Sequence, residues 1–476
     1  MLWLCIHLPW LPLEVFTRGA DDGDTPLAVV CERYIRAVNA AGRRAGVLPG
    51  MGLAAARSVA PQLHLRDRDT GAEASALERL AGWALQFTSR LSLQPPSDML
   101  LEIGASLRYF GGLETLRGLI GRGLEELGYH ARLGIAPTPT AAWLLARAAD
   151  EQPVTAEAAL RERLGPLPVA ALDLDDVSLS ALRGLGVTTL ADCLALPRPG
   201  LGRRLGQGLL TLLDRALGQL PDPRHHWQAP ARYSNRIELS TEVENTAYLI
   251  FGLNRLIREL CGQLRGGENG TQHLQITLDH LHQPATPFAV GLVTPSRDPE
   301  HLLALTRERL ERITLPAPVI GLGLATRDIR PLAPRPRPLL TADSGQPAES
   351  WNTLVERLSA RLGEHAIQGL RTHSEHRPER AWGYTRPGGQ APADAMAERP
   401  LWLLARPMRL SVTDGRPQWH GALILHRGPE RIESGWWDGN DIARDYYVAV
   451  NAAGERVWIY RERRGGRDWF LHGLFA

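Results

Sequence analysis

The chain contains no lysine, so all 54 of its basic residues are arginines. This absence excludes enzymes that need a lysine nucleophile, a lysine Schiff base or the lysine of a phosphate-binding P-loop. A GC-rich coding sequence explains the bias without any functional role. The arginines are nearly balanced by 52 acidic residues, and a net charge of +2 does not by itself indicate a nucleic-acid-binding protein.

Cysteines and long apolar runs are also scarce. The four cysteines lie far apart and form no Cys-x-x-Cys pair, which argues against a zinc site or a disulfide framework and fits a reducing compartment. They are Cys5, Cys31, Cys193 and Cys261. No stretch approaches 18 uninterrupted apolar residues, and the apolar start lacks a basic region and contains Pro9 and Pro12. We therefore expect a cytoplasmic, nucleoid-associated protein without a signal peptide or membrane helix, and we expect no metal or other cofactor.

The 476 residues are enough for about three domains. Residues 1–165 alternate between apolar strands and amphipathic helices, which predicts an α/β or α+β domain. The strand candidates are Leu2–Leu8, Pro26–Cys31, Met99–Ile103 and Ala131–Ala136. The helix candidates are Ala74–Leu91, the segment from Gly112 to about Leu127 and the segment that ends at Ala149.

Residues 166–230 are predicted to be helical with short loops. Gly184 and Gly186 lie between two short helices, which is typical of a helix-hairpin-helix whose backbone N–H groups bind a DNA phosphate. A helical C-cap turn explains the same glycines equally well. Residues 231–330 return to an α/β pattern, with strand candidates at Arg236–Ser240, Leu274–Leu278 and Phe288–Val293.

A stretch rich in proline and arginine then predicts a linker over residues 331–350. After it the composition changes, because eight of the 13 tryptophans lie from Trp351 onward. A linker followed by a tryptophan-rich tail predicts a separate C-terminal module at residues 351–476.

Several motifs, in this order, resemble those of Y-family (translesion) DNA polymerases. They are Gly42–Val47, Pro49–Met51 and Ala60–Leu63, similar to the fingers signature, and Ser106–Gly112 and Gly134–Pro137, similar to segments of the palm. The resemblance implies the right-hand architecture of that family, an α/β (α+β) fold. Its parts would be the palm and fingers (1–165), a helix-hairpin-helix thumb (166–230) and a little finger (231–330).

The tail is similar to that of the polymerase-like subunit of a bacterial damage-inducible mutagenesis cassette. The segments that carry this likeness are His376–Trp382, Arg399–Leu404, Arg431–Trp437, Arg444–Tyr447 and Trp469–Phe475. The resemblance implies three protein partners: a RecA-like accessory protein of the same cassette, an error-prone DnaE-type polymerase and the sliding clamp.

Most of the family's catalytic carboxylates are missing from the matching positions of this chain. Two-metal nucleotidyl transfer needs several carboxylates around two Mg²⁺ ions. The first strand, which runs through His7 to Leu8, has no carboxylate, and Ser97–Asp98 stands where the family has an Asp-Glu pair. Imidazole suits softer metals than Mg²⁺, so His7 does not restore the site. The degenerate palm positions are thus Leu8, Ser97 and Asp98.

The triphosphate contacts of the family are depleted as well. Its fingers tyrosine falls near Ala40 and its palm lysine near Trp143, so that only Arg43 remains as a nucleotide-contact remnant. We predict a polymerase fold without polymerase chemistry. The alternatives are an active, low-fidelity polymerase with a remodelled metal site, and another hydrolysis that uses Asp98 and Glu102.

Other candidate metal ligands are weaker. Asp21–Asp24 is more typical of a solvated turn, since no downstream bidentate glutamate completes a calcium loop. The pairs His225–His226 and His280–His282 have no acidic or cysteine partner at metal-ligand spacing, which favours surface histidines.

DNA binding is the function that such a fold retains. The candidate phosphate contacts are Arg183, Arg203 and Arg204 in the thumb and Arg232 and Arg236 at the start of the little finger, together with the hairpin of Gly184 and Gly186. Any one of these arginines, taken singly, is better explained as a solvated side chain on a helix face, and it is the set on a DNA-binding fold that favours phosphate contacts.

Partner binding is predicted for the tail and the linker. The clamp-binding position of the family corresponds to Leu339–Leu340, which lacks the expected glutamine and aromatic residue, so a plain linker is an alternative. In the tail the candidates are Trp382, Trp402, Trp436, Trp437, Tyr446 and Trp469. These aromatic residues could also form a small β-sheet core, and we expect one member of each adjacent pair to face inward.

Overall fold

Alternating strands and helices form the first part of the chain, as the sequence predicts. The computed structural model describes residues 1–19, 25–332, 351–363, 366–385, 387 and 399–475. Up to residue 149 the strands are β1 (Trp3–His7), β2 (Leu27–Cys31), β3 (Tyr34–Val38), β4 (His64–Asp67), β5 (Leu91–Gln94), β6 (Asp98–Glu102) and β7 (Arg132–Ala136). The helices are α1 (Leu11–Thr17), α2 (Ala40–Arg44), α3 (Leu53–Val59), α4 (Thr70–Ala84), α5 (Leu113–Glu126) and α6 (Pro139–Ala148).

The central sheet of this part has the strand order β5-β6-β1-β7, and all of its neighbouring strands are antiparallel. The two faces of β1 have different neighbours. Leu4 and Ile6 face a core made with α4 and α5, whereas Trp3 and Cys5 face a core made with α6 and the helices that follow it. This alternation is the period of two that a strand buried on both faces requires.

The strands β2, β3 and β4 form a second, smaller sheet with the order β3-β2-β4, at the predicted fingers. The predicted helix at Ala74–Leu91 differs from the observed α4, which ends at Ala84. The residues after Ala84 turn, and only Leu91, the last residue of the predicted helix, belongs to β5, which forms a hairpin with β6. The pairing of β5 with the strand that follows it overrides the helical spacing of the apolar residues here.

The segment predicted as the thumb is helical. It contains α8 (Asp176–Gly184), α9 (Leu190–Ala195), α10 (Arg198–Leu205) and α11 (Gln207–Ala216), with a 3-10 turn at Val169–Leu172. A 3-10 turn at Glu157–Ala159 and α7 (Leu160–Leu164) precede it, within residues 1–165. The apolar faces of these helices share one core with α6, which joins them to the palm sheet.

The segment predicted as the little finger is a sheet covered by two helices. Its elements are β8 (Tyr233–Val243), α12 (Thr246–Gly266), β9 (Asn269–His280), β10 (Thr286–Ser296), α13 (Pro299–Leu310), β11 (Val319–Thr326) and β12 (Ile329–Pro331). The strand order is β10-β9-β11-β8, and β12 pairs with β9. The strands are longer than the apolar runs that predict them.

A buried ionic cluster joins the little finger to the palm. The guanidinium of Arg18, which follows α1, lies 2.7 Å from the carboxylate of Glu259 on α12, and the two side chains are 3% and 0% exposed. Glu259 also accepts hydrogen bonds from Tyr233 and Asn235 of β8. Arg18 donates to the hydroxyl of Tyr129. Every member is held by a partner, as a buried charge requires.

Burial and neighbouring charges change the proton affinities in this cluster. Burial opposes the charge of Arg18, but the oxygens of Tyr129 and Glu259 outweigh it and raise the pKa of the guanidinium. Burial raises the pKa of Tyr129 to about 12. The guanidinium therefore stays charged, and the tyrosine stays neutral, over the physiological range of pH.

The helix α14 (Trp351–Leu362) belongs to the first of two compact units, which are Met1–Arg361 and Leu362–Ala476. The carboxylate of Glu356 accepts the backbone N–H of Val293 on β10 at 2.6 Å and contacts His301 of α13 at 2.7 Å. The second unit thus begins at Leu362, whereas the change in composition predicts a start at residue 351. That prediction places α14 in the wrong unit because composition does not show what a helix packs against.

The second unit is built on a five-stranded antiparallel sheet with the order β15-β21-β20-β19-β18. The strands of the unit are β13 (Gly369–Thr372), β14 (Trp382–Thr385), β15 (Trp402–Leu410), β16 (Val412–Thr413), β17 (Arg416–Pro417), β18 (Ile424–Ser434), β19 (Ile442–Val450), β20 (Arg456–Glu462) and β21 (Trp469–Leu474). Apolar residues cover both faces of the sheet, so that Tyr446 lies in one core and Tyr447 packs against the other. Among the described residues, no helix is long and apolar enough to cross a membrane.

Candidate functional site

A row of polar side chains crosses the palm sheet at one end. The register places Asp98 of β6 opposite both Gln94 of β5 and His7 of β1, and His7 opposite Arg132 of β7. Residues directly opposite one another in antiparallel strands share a face of the sheet. We call Gln94, Asp98, His7 and Arg132 the palm row. It lies on the face that α6 covers, because Cys5 and Leu100, two residues away, pack there.

The carboxylate of Asp98 is fully engaged by neighbouring side chains. Its side chain is 2% exposed, and one oxygen lies 2.7 Å from Nδ1 of His7. The other oxygen accepts a long hydrogen bond of 3.4 Å from Ser97 and lies 3.6 Å from the guanidinium of Arg147. A cation therefore stands beside the carboxylate, where a polymerase would need an Mg²⁺ ion.

Arg147 connects the palm to the thumb. It sits on the last turn of α6, contacts Asp98 of the palm, and donates to Asp173 of the thumb segment at 2.5 Å. Its guanidinium also lies 5.1 Å from the ring centre of Trp143, one helical turn earlier. Trp143, which matches the family's palm lysine, is 8% exposed. An indole thus occupies the position of a phosphate-binding cation.

A second connection between palm and thumb lies at the other end of α6. The carboxylate of Asp222 accepts the backbone N–H and the hydroxyl of Thr140 at 3.0 and 2.7 Å, and so occupies the positive end of this helix. Arg224 donates to Asp222 at 2.8 Å and to Gln94 of the palm row at 3.0 Å. Salt bridges and hydrogen bonds from both ends of α6 therefore fill the space over the palm row.

This arrangement does not fit a pair of Mg²⁺ ions. The nearest acidic candidate on β6, Glu102, lies four residues from Asp98, about 13 Å along a strand. Its carboxylate accepts the backbone N–H of Gly104 at 3.1 Å. Within the described ranges, no group of three histidine, cysteine or acidic side chains could hold a metal ion. Burial, followed by the charge of Asp98, raises the pKa of the Cys5 thiol, which disfavours a thiolate nucleophile.

The structure distributes the predicted palm residues differently from the sequence reasoning. Leu8 is fully buried in the α4 and α5 core, and the residue of β1 that reaches Asp98 is His7. Arg43 is exposed and stacks on the ring of Trp10 at 4.0 Å. Sequence reasoning missed Arg147, although its spacing of four residues from Trp143 predicts that both lie on one face of a helix.

The thumb contains two hairpins rather than one. In the predicted hairpin, Gly184 and Gly186 are exposed, and Gly186 has a φ of +76°. The start of the next helix, α9, is occupied by the carboxylate of Asp192, whose pKa is lowered to about 2 by hydrogen bonds from the backbone and side chain of Thr189. A negative charge at this position disfavours a phosphate at the same helix end.

The second hairpin, between α10 and α11, was missed. Gly206 has a φ of +86° and precedes α11, whose first turn has no side-chain cap. Arg203 and Arg204, in the last turn of α10, are both exposed. Free backbone N–H groups and two arginines therefore meet at one hairpin, which suits a phosphate better than the first. The signal in the sequence was the third Gly-x-Gly of this segment, at residues 206–208.

The remaining arginine and histidine candidates are dispersed. Arg183 and Arg232 are exposed, whereas Arg236 is paired with Asp279 at 3.0 Å. His225 and His226 are exposed, as expected. His280 is not a surface histidine, because it is 6% exposed and lies 2.8 Å from the hydroxyl of Thr286. The segments with Asp21–Asp24 and Leu339–Leu340 lie outside the described residues.

The aromatic candidates of the tail divide into surface and core residues. Trp382, Trp402, Trp436 and Trp437 are 49%, 67%, 80% and 58% exposed. Trp469 is half-buried against Tyr447, and Tyr446 is fully buried and stacked on Trp458 at 4.1 Å. Tyr446 is therefore unsuited to partner binding. The expectation that one member of each pair faces inward is wrong for Trp436–Trp437, because they lie in a turn after β18 rather than in a strand.

Comparison with known proteins finds relatives over most of the chain. The model of the impB/mucB/samB family matches residues 22–147. Over 462 residues the chain is 30% identical to Protein ImuB of Caulobacter vibrioides (strain NA1000 / CB15N), which covers 90% of this chain and 100% of that protein. It is 24% identical to DNA polymerase IV of Dehalococcoides mccartyi (strain CBDB1), over 51% of this chain and 66% of that protein. The solved structure of DinB from Sulfolobus solfataricus is 15% identical, with a TM-score of 0.38, over 70% of this chain and 100% of that one.

Proposed function

This chain belongs to the ImuB family of Y-family polymerase-like proteins, and we propose that it is a non-catalytic scaffold in damage-induced translesion synthesis and mutagenesis. It binds DNA through its thumb and recruits an error-prone DnaE-type polymerase. The observation that carries the non-catalytic role is the palm row, where Arg147 and His7 occupy the one remaining carboxylate, Asp98.

Three features together oppose nucleotidyl transfer. Asp98 is the only carboxylate of the palm row, and two hard cations need several oxygen ligands. The guanidinium of Arg147 repels a divalent cation. Trp143 offers no charge to a triphosphate and is covered by Arg147. Each feature alone would impair a polymerase. The first removes ligands of the metal ions, the second places a positive charge at the remaining carboxylate, and the third removes a contact to the phosphates.

Primer extension tests the absence of catalysis. The purified full-length protein is incubated with a primed template that carries a lesion, all four nucleotides, and Mg²⁺ or Mn²⁺, beside an active Y-family polymerase as positive control. We expect no extension by this protein with either metal. Extension that persists in Ser97→Ala but disappears in Asp98→Ala would instead establish the alternative, an active polymerase with a remodelled metal site.

DNA binding is supported by the hairpin at Gly206, where Arg203 and Arg204 flank uncapped N–H groups. Each arginine–phosphate contact releases counterions, so log affinity should fall with log salt by about 0.9 per contact. The variant Arg203→Glu/Arg204→Glu should bind duplex DNA more weakly and with a shallower salt dependence. The matched control is Arg406→Glu/Arg416→Glu, which reverses the same charge on exposed arginines of the second unit. Equal loss in both variants would contradict a specific role for the hairpin.

Recruitment is supported by the exposed aromatic residues of the second unit. Trp436 and Trp437 contact each other edge-on at 5.5 Å, and Arg377 lies 5.6 Å from the ring centre of Trp437. Exposed tryptophan beside arginine is the composition of a binding hot spot. The family resemblance proposes the DnaE-type polymerase, RecA-like ImuA and the sliding clamp as partners.

A pull-down separates the surface tryptophans from those of the core. The full-length variant Trp436→Ser/Trp437→Ser should lose capture of the DnaE-type polymerase or of ImuA while its urea unfolding is unchanged. The control Trp402→Ser removes another exposed tryptophan at a different place on the unit. If Trp436→Ser/Trp437→Ser captures both partners normally, this turn is not the recruiting surface.

A further inference from the structure

A groove of about 610 Å³ lies on the first unit where α4, α5 and α12 meet the loop before α5. Its lining includes Tyr109 and Phe110 of that loop, Arg122 of α5, and Arg258, Arg265 and Arg297 of the little finger. The groove is on the face of the palm sheet that α4 and α5 cover. It is therefore on the opposite face from the palm row and the thumb helices.

A series of aromatic rings leads from the core to the surface of this groove. Trp83 contacts Phe87 at 5.2 Å, Phe87 contacts Phe110 at 5.7 Å, and Phe110 contacts Tyr109 at 4.9 Å, measured between ring centres. Tyr109 ends the series and is 86% exposed. Phe110 supports it edge-on, so that the ring of Tyr109 is held in place while it faces solvent.

The groove carries an excess of positive charge. Four arginines line it, against two glutamates, Glu126 and Glu268. Arg258 is neutralised, since it pairs with Glu126 at 3.3 Å and with Glu300 at 2.7 Å.

The other three groove arginines, which are Arg122, Arg265 and Arg297, have no carboxylate within ion-pair distance in the described part of the chain. Arg297 is notable because its Nη1 is shielded from solvent and lacks a hydrogen-bond partner among the described residues. An unsatisfied guanidinium nitrogen beside a groove is a costly feature unless a ligand completes it.

We propose that this groove binds single-stranded DNA, with a base stacked on Tyr109 and the backbone phosphates along Arg122, Arg265 and Arg297. Aromatic faces combined with a positive groove are the chemistry by which proteins hold single strands without reading their sequence. The space admits unstacked nucleotides but not a duplex. The uncompensated positive charge favours a polyanion, and the exposed ring favours one that carries bases.

This site adds to the proposed function and does not depend on it. The thumb hairpin would bind duplex DNA on one face of the palm sheet, while the groove would hold a single strand on the other. A scaffold at a stalled primer terminus would meet both kinds of DNA.

The experiment measures the binding of a fluorescent oligo-dT and of a fluorescent duplex by the full-length protein, using anisotropy. In Tyr109→Ala the affinity for oligo-dT should fall about tenfold, because a base can no longer stack on an aromatic ring there. Tyr109→Phe keeps the stacking face and should bind normally. Arg122→Glu/Arg297→Glu should lose most single-strand binding but bind the duplex as before.

Photocrosslinking of oligo-dT that contains 5-iodouracil, followed by peptide mapping, locates the strand. A crosslink at Tyr109 or Phe110 is expected. Crosslinks only in other segments, or oligo-dT affinities that are unchanged in both Tyr109→Ala and Arg122→Glu/Arg297→Glu, would overturn the proposal. So would equal displacement of oligo-dT by poly-glutamate, since the groove would then recognise acidic peptides. Urea unfolding of each variant shows whether a loss of binding comes from a loss of fold.

The outcomes for the two sites are distinguishable. If Arg203→Glu/Arg204→Glu loses duplex binding and keeps the oligo-dT crosslink, the two sites are separate, as proposed. If the wild-type protein binds duplex but not oligo-dT, the groove proposal fails while DNA binding by the thumb stands.

Discussion

Glu259 is a carboxylate held wholly inside the first unit, and its partners come from the palm and the little finger together. Arg18 supplies the opposite charge from the palm, and Tyr233 and Asn235 supply hydrogen bonds from β8. A buried ion pair contributes little relative to a well-packed apolar pair, but removal of one partner leaves an uncompensated charge.

The variant Glu259→Gln should therefore lower the free energy of unfolding by about 3–5 kcal/mol. Urea unfolding of the full-length protein measures the change. The double variant Arg18→Met/Glu259→Leu removes both charges and should recover much of the loss. A Glu259→Gln protein as stable as the wild type would contradict the assignment of this pair as buried.

Asp98 is a second buried carboxylate of the first unit, and its role is to hold the palm row in place. It is buried beside His7 and Arg147, and in Asp98→Asn the arginine keeps Asp173 as a partner. We expect a loss of about 1–3 kcal/mol in the free energy of unfolding. Mg²⁺ should change the urea midpoint of neither protein. Stabilisation of the wild type by Mg²⁺, absent in Asp98→Asn, would show that this carboxylate binds the metal.

At the scale of elements, the C-terminal sheet contains a buried histidine that titrates far from its usual pH. His472 of β21 is 1% exposed and contacts the hydroxyl of Tyr446 at 2.8 Å. Burial, with the charge of Arg444, lowers the pKa of His472 to about 4. The unfolded chain binds a proton near pH 6.5, whereas the folded sheet does so only near pH 4.

Stability of the second unit should therefore fall as the pH decreases from 6.5 to 4, by an amount on the order of 3 kcal/mol. The measurement is the urea midpoint followed by tryptophan fluorescence, which is suited to a unit rich in tryptophan. His472→Gln should remove most of the change within this window. Glu375 and Asp438 accept hydrogen bonds from Arg377, which lower their pKa values to about 2, so these carboxylates act mainly at lower pH. An identical pH profile in His472→Gln would place the cause elsewhere.

The elements also show how far the sequence could predict this protein. Apolar periodicity located β1, β2, β6, β7, α5 and α6, because local pattern and tertiary burial agree there. It failed at residues 85–91, predicted as the end of a helix, where the chain turns after α4 and enters the hairpin of β5 and β6. The register of the strands was the other limit of the prediction. A shift of one residue would place Leu8 rather than His7 opposite Asp98, and only the pairing of the strands fixes this register.

The candidate sites, too, were predictable where a local motif marks them and unpredictable where tertiary packing assembles them. The degenerate carboxylates could be recognised by motif, whereas Arg147 and Arg224 reach the palm row from segments that no local pattern connects to it. The groove beside Tyr109 could not be predicted from the sequence either, because its lining comes from four separate segments. Side chains that converge through tertiary packing need the fold before they can be assigned.

At the scale of the whole molecule, the boundary between the two units gives a prediction. A protein that ends at Gly363 keeps α14, and it should bind DNA normally while it loses the capture of protein partners. A protein that ends at Leu332 also loses Glu356, which covers the edge strand β10 and contacts His301. An uncovered edge strand favours association, so this shorter protein should aggregate. Light scattering and pull-down compare the two. Partner capture by the protein that ends at Gly363 would place recruitment in the first unit.

The closure of the palm row has a consequence for evolution. To regain a metal site, the chain would need new carboxylates at His7 and Ser97, and it would also have to remove Arg147 and replace Trp143. Each change alone would destabilise the contacts between palm and thumb before it restored any catalysis. No single substitution leads back by a neutral step, so a scaffold of the kind proposed above would be held in its non-catalytic state by its own packing.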